Sequence, residues 1–165
     1  MKKLKMTTKE VRTLLSQIPD PEIPVITIEE LGILRDVNFV NDECVITITP
    51  TYSGCPAMKA IDQDIVALLK ENGIEKIKVN YVYSPAWTTD WLSEEAKEKL
   101  RKYGISAPDK TSSDKSILTG IQKVVKCPRC NSENTELVSQ FGSTACKALY
   151  KCKDCLEPFD LFKCH

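Results

Sequence analysis

Two Cys-x-x-Cys pairs, Cys127-Pro128-Arg129-Cys130 and Cys152-Lys153-Asp154-Cys155, constrain this chain more than any other feature. Twenty-one residues separate them, just beyond the roughly 15 to 20 usual for paired knuckles. Four thiolates close a tetrahedral shell around Zn²⁺ and leave no open position for water. The segment 121–165 has too little apolar sequence to build a core unaided, so a metal staple is expected there. Structural zinc on Cys127, Cys130, Cys152 and Cys155 is the main reading. A rubredoxin-like iron site has the same ligand count and stays open.

Three further candidates share that tail: Cys146, Cys164 and His165. Phe159 and Phe162 mark a run that folds back as a third ribbon strand, bringing Cys146 and Cys164 near the zinc or near each other. Either both pack in the core, or Cys146, Cys164 and His165 form a second metal site, since soft thiolates with a histidine suit zinc or Fe–S chemistry.

Charge narrows the function classes. Lys and Arg number 23, and so do Asp and Glu, so the formal net charge is zero. A protein whose main business is the nucleic-acid backbone is not expected to look like this. There is no run of 18 apolar residues, so no membrane span is expected. The basic start, Met1 to Lys5, lacks the apolar core of a signal peptide. The chain is read as cytoplasmic, and its eight cysteines as metal or thiol chemistry rather than a disulfide framework.

Thr49-Pro50-Thr51-Tyr52-Ser53-Gly54-Cys55-Pro56 organises the first part of the chain. It joins a strand-like run, Cys44 to Thr49, to a helix-like run, Ala57 to Asn72. Gly54 permits a sharp bend, and Pro56 suits a first helical position. The spacing predicts Cys55 as an N-cap beside unpaired backbone N–H groups and the positive helix end. Such a place lowers a thiol's pKa and favours the thiolate, the form that attacks electrophiles and binds metals. The alternative is a small buried hydrophobe.

Around this turn the pattern is regular. Thr7 and Glu10 make a capping box before Val11, Leu14, Leu15 and Ile18, and Pro19 ends that helix. Asp20-Pro21-Glu22-Ile23-Pro24 reads as a stiff turn with exposed carboxylates. Ile33 to Val40 and Cys44 to Thr49 form a hairpin turned at Asn41-Asp42, with Cys44, Ile46 and Ile48 on one face. Met58, Ile61, Ile65 and Leu68 form a helical stripe, and Glu75 to Tyr83 alternates as a strand. Strand, helix, strand implies parallel pairing. Trp87 and Trp91 then cover the core or form a contact surface. Ser93 caps a charged helix stopped by Gly104. The expected fold is α+β, a small mixed sheet with helices on one face followed by a C-terminal zinc ribbon. The expected divisions are 1–106, a polar linker 107–120, and the ribbon 121–165.

Asp20-Pro21-Glu22 followed by Thr49 to Pro56 resembles the small iron–sulfur assembly domain of metal-sulfur cluster biosynthetic proteins. Further residues narrow the resemblance: Tyr83-Ser84-Pro85-Ala86-Trp87-Thr88-Thr89-Asp90-Trp91, the two knuckles, Phe141-Gly142-Ser143-Thr144-Ala145-Cys146-Lys147 and Glu157-Pro158-Phe159. With these, nearly the whole chain resembles the D-subunit family of the bacterial phenylacetyl-CoA 1,2-epoxidase system. The resemblance implies an accessory or maturation subunit in aerobic phenylacetate catabolism that assists assembly or repair of iron or iron–sulfur centres. Its implied partners are the oxygenase and reductase subunits of that system, which carry the chemistry. It marks Cys55, Asp20 and Glu22 as candidates to hold iron or a cluster transiently. A homodimer stays open.

Three other readings compete. A non-catalytic structural subunit of the oxygenase complex needs no metal handling. A cysteine enzyme using Cys55 needs an adjacent base, and the single histidine is His165, in the tail. A nucleic-acid adaptor built on the ribbon conflicts with the neutral charge.

Overall fold

The computed structural model describes residues 6–107 and 124–162. It divides into two compact units, Met1–Trp87 and Thr88–His165. Both are α+β, each built on its own small sheet.

The first unit opens with α1 (Thr8–Leu15), whose capping box is formed as expected. Glu10 N–H donates to Thr7 Oγ1 at 3.3 Å and Thr7 N–H to Glu10 Oε2 at 2.7 Å. The helix stops at Leu15, earlier than the proline. Gln17 and Ile18 bond three residues back, in the tighter turns common at helix ends, because a residue before proline is disfavoured in helical geometry. Residues 20–33 form an irregular but apolar loop, with Ile23, Ile26, Ile28, Leu31 and Ile33 all buried. Thr27 and Glu30 exchange capping-box bonds within it.

Strands β1 (Leu34–Val40) and β2 (Glu43–Ile48) pair antiparallel through Asn41 and Asp42, both at positive φ, as twisted two-residue hairpins require. Helix α2 (Ala57–Glu71) then crosses to β3 (Ile77–Tyr81), which lies parallel to β2. The sheet order is β1-β2-β3. Cys44, Ile46 and Ile48 are buried on one face of β2. The buried stripe of α2 is Met58, Ile61, Ile65 and Leu69, which corrects the expected Leu68. Eleven residues close three turns to within about 20°, whereas ten leave the side chain about 80° off the stripe. Trp87 ends the unit, 5% exposed, with its indole N–H donated to the Leu31 carbonyl at 2.6 Å. It is therefore a brace on the core rather than a contact surface.

The second unit holds a short 3₁₀ turn (Thr89–Trp91), then α3 (Glu94–Lys102), capped by Ser93 and laced on its surface by Lys97–Glu94 and Arg101–Glu98 pairs. Its sheet has the order β4-β7-β6-β5, from β4 (Ile105–Ser106), β5 (Thr135–Ser139), β6 (Lys147–Cys152) and β7 (Pro158–Phe162). Strand β7 folds back on β6 as expected. The parallel pairing of β4 with β7 was not expected. It places α3 and β4 in the same compact unit as the ribbon strands, Thr88–His165. Most of the expected linker lies outside the described residues.

Candidate functional site

The four knuckle cysteines come together. Their Sγ atoms all lie within 4.8 Å of one another, with Cys127 to Cys155 at 3.7 Å and Cys130 to Cys152 at 3.6 Å. Four sulfurs about 2.3 Å from a central metal stand about 3.8 Å apart along each edge of a tetrahedron. A disulfide would need about 2.05 Å. The donor set and its spacing therefore fit a tetrahedral metal.

Local backbone builds this arrangement. Each knuckle is followed by a residue at positive φ, Asn131 at 61° and Leu156 at 63°. Asn131 N–H closes on Cys127 O, Cys127 N–H on Ser132 O, and Cys152 N–H on Glu157 O. The reversed chain turns further N–H groups toward sulfur. Cys130 accepts from Ser132, Cys155 from Glu157, and Cys152 from Cys155 and Asp154. Such donors orient ligands and stabilise their charge. At Cys152 the Cys155 N–H, then, against desolvation, the Asp154 N–H and the neighbouring Cys130 and Cys155 thiols bring the thiol down to about 7.

The knuckles are also tied side chain to side chain. Asp154 accepts from Ser132 and from Asn134, the latter at 2.7 Å, and Arg129 pairs with Glu157 at 2.5 Å. Beneath them Val125, Ala148, Phe159 and Leu161 form a core that includes Cys127 and Cys152, with Tyr150 stacked on Phe159.

Cys146 is buried but stands outside this group of four, its Sγ 3.1 Å from Thr144 Oγ1. It does not sit with the knuckle thiols. Cys164 and His165 lie outside the described residues.

In the first unit, Cys55 follows a tight turn. Its N–H donates to Tyr52 O at 3.3 Å, and Gly54 sits at φ 78°. The helix begins one residue later than expected. Pro56 is the cap residue, in helical geometry and without a side-chain cap bond. Cys55 Sγ nevertheless accepts the Ala57 N–H and bonds to the Tyr52 side chain.

Asp20 corrects the expectation of exposed carboxylates, being 6% exposed. Its Oδ1 accepts Glu22 N–H at 2.9 Å and Ile23 N–H at 2.8 Å, which makes burial tolerable. Glu22 is half-buried. Both charges reach Cys55. Burial pushes the Cys55 thiol up, the Ala57 N–H pulls it down, Glu22 raises it, Tyr52 lowers it, and Asp20 raises it again. The net shift is upward, which overturns the expected low-pKa thiolate. Capping N–H groups are present, but burial and two carboxylates outweigh them.

Sequence comparison decides the family. A protein of Escherichia coli (strain K12), provisionally named as the D-subunit of 1,2-phenylacetyl-CoA epoxidase, is 51% identical over 94% of this chain and 92% of its own length. The chain belongs to this D-subunit family. Two family models divide it: "Iron-sulfur cluster assembly protein" matches residues 8–81, and "PaaD zinc beta ribbon domain" matches residues 111–163. The Fe-S protein maturation auxiliary factor SufT of Staphylococcus aureus is 42% identical over 49% of this chain and 93% of its own length. A solved domain of unknown function, DUF59, from Bacillus anthracis has a TM-score of 0.52 and 33% identity, covering 56% of this chain and 90% of that structure. In this D-subunit family member, Asp20, Glu22 and Cys55 fall in the assembly segment and the four clustered cysteines in the ribbon segment. Among the described residues no helix is long and apolar enough to cross a membrane.

Proposed function

We propose that this protein is a maturation subunit of a phenylacetyl-CoA epoxidase system, holding iron or an iron–sulfur cluster transiently at Cys55, Asp20 and Glu22. The observation that carries the reading is the match of residues 8–81, which hold all three residues, to the iron–sulfur cluster assembly family model, and the negative charge of Glu22 and Asp20 acting on the Cys55 thiol supports it. The field that disfavours a bare thiolate favours a cation beside it. A thiolate with carboxylate oxygens is also a mixed soft and hard donor set that suits iron. Cys55 is only half-buried and the set is small, so cargo is able to leave as well as enter. The ribbon is the opposite case: four thiolates close the shell, which makes its metal structural, and zinc is the metal such shells usually hold. The relatives named as Fe-S maturation factors each match about half of this chain, and the ribbon segment has its own family model, so on this reading the ribbon is the part that adapts the protein to its own clients.

The clients on this reading are the metal-bearing oxygenase and reductase subunits, loaded in the cytoplasm, where thiols stay reduced. The test is to purify the epoxidase complex from cells with and without this gene, then compare iron content and epoxidation rate. Underfilled metal centres and low activity without the gene are expected, with Cys55→Ser unable to restore them. Equal iron and equal rate would reject maturation and leave a structural subunit as the better account.

A further inference from the structure

The four knuckle thiols are not equivalent. In each knuckle the first cysteine is buried in the ribbon core, Cys127 and Cys152 both 0% exposed. The second stands further out, Cys155 half-buried and Cys130 exposed. The close sulfur contacts join the outer thiol of one knuckle to the buried thiol of the other: Cys130 to Cys152 at 3.6 Å and Cys155 to Cys127 at 3.7 Å. A closed metal shell makes thiolates of all four, so exposure is what separates them toward an oxidant. Cys130 is the corner that solvent reaches most readily.

We propose that the ribbon is a peroxide-sensitive switch in which Cys130 is the thiol attacked and Cys152 the one that resolves it. The Cys130 thiolate gives its electron pair to one oxygen of hydrogen peroxide, and the O–O bond breaks. The other oxygen leaves as hydroxide and takes a proton to become water. The product is a sulfenic acid on Cys130. The Cys152 thiolate, 3.6 Å away, then attacks the Cys130 sulfur. An S–S bond forms, the S–O bond breaks, and the departing hydroxide becomes a second water. Two thiolates thus lose two electrons in all, and one peroxide is reduced to two waters. The disulfide draws the two sulfurs to about 2.05 Å and removes two of the four thiolate ligands, which opens the shell. Cys152 ends β6 and packs with Val125, Ala148, Phe159 and Leu161, so bridging it disturbs the ribbon core along with the shell. A thiol reductant reverses the step by disulfide exchange. The switch is independent of Cys55 and of any cargo there.

The experiment uses the full chain loaded with zinc, hydrogen peroxide as the probe, and peptide mapping that reads every cysteine separately. With dimedone present to trap sulfenic acid, and peroxide below one equivalent, the first ribbon adduct is expected on Cys130. Without dimedone, a Cys130–Cys152 disulfide should form, with about one zinc ion freed per peroxide consumed at the ribbon. Amide protection across β5, β6 and β7 should fall with it, and dithiothreitol with zinc should restore both. Cys130→His keeps a fourth zinc ligand without the oxidisable thiol, and should hold its zinc through the same treatment. The wild-type map decides the matter even where the histidine variant fails to fold. A first ribbon adduct on another cysteine, a bridge from Cys130 to any partner but Cys152, or zinc retained under excess peroxide would each overturn the proposal.

Discussion

Cys127 and Cys155 place their Sγ atoms 3.7 Å apart, one from each knuckle, although they stand 28 positions apart in the sequence. Each knuckle supplies two of the four thiols, the close sulfur contacts run from one knuckle to the other, and Cys127 and Cys152 are at the same time members of the ribbon's apolar core. Losing one ligand therefore opens the metal shell and the core together.

Structural zinc in small fingers contributes about 10–16 kcal/mol of apparent folding energy. A strong chelator, or Cys130→Ser, is expected to abolish amide protection across β5, β6 and β7 while residues 8–81 keep theirs. Because β4 pairs with β7, Ile105 and Ser106 should lose protection with the ribbon. Hydrogen exchange read by mass spectrometry checks this. A ribbon that stays protected without metal would show that the four cysteines are not its staple.

Trp87 offers a separate test in the first unit. Trp87→Phe keeps most of the apolar volume but leaves the Leu31 carbonyl without its indole donor. An unpaired buried acceptor costs about 1–3 kcal/mol. Trp87→Ala adds a cavity and should cost about 3–5 kcal/mol. Urea unfolding of each variant, with metal held constant, gives the numbers. A neutral Trp87→Phe would mean that water or another group replaces the donor.

Asp20 separates structure from chemistry. Its Oδ1 accepts two backbone N–H groups, and an asparagine oxygen can accept the same bonds without the charge. Asp20→Asn is expected to change unfolding free energy by less than about 1 kcal/mol, and Asp20→Ala by about 1–2 kcal/mol, as lost caps do. Both should weaken cobalt binding at Cys55. If Asp20→Asn binds cobalt as wild type does, the carboxylate serves only the turn.

These tests also mark what the residues disclosed before any coordinates. Local rules carried far. Thr7 with Glu10, the hairpin at Asn41-Asp42, the alternation of Cys44, Ile46 and Ile48, and Ser93 as a cap each depend on neighbours a few positions away, and each stands as read. The two CxxC pairs disclosed their cluster because the chemistry of four thiolates overrides everything around them. What failed was non-local. Asp20 looked exposed because its satisfaction by Glu22 and Ile23 N–H groups is a matter of loop path. Ile23 and Ile26 sit among prolines and carboxylates, with no period to mark them as core. Strand β4 is two residues long and meets its partner more than fifty positions away. Cys55 is the instructive case: helix-end position argued for a low thiol pKa, but the sign is set by burial and by Glu22 and Asp20, some thirty residues upstream.

That sign yields the last prediction. Burial, then Glu22 and Asp20, hold the Cys55 proton against the lowering bonds from Ala57 and Tyr52. In metal-free protein at neutral pH, Cys55 should therefore react with iodoacetamide more slowly than an unhindered thiol, since only thiolate attacks. Glu22→Gln removes a raising charge, so its Cys55 should react faster than wild type at the same pH, with the rate profile moved to lower pH. Stability follows the same sign. A group whose folded pKa lies above its unfolded value contributes stability below the unfolded value, about 8.5 for a thiol, and loses it as pH rises through the folded one. Cys44 is also raised by burial and acts in the same direction. The first unit should thus lose stability as pH climbs beyond about 9, and less steeply in Cys55→Ser. Metal binding reverses the preference, because a bound cation takes the thiolate and releases the proton, so cobalt affinity at this site should rise with pH. Slower alkylation in Glu22→Gln, or a cobalt affinity independent of pH, would show that Glu22 does not act on the Cys55 sulfur in solution.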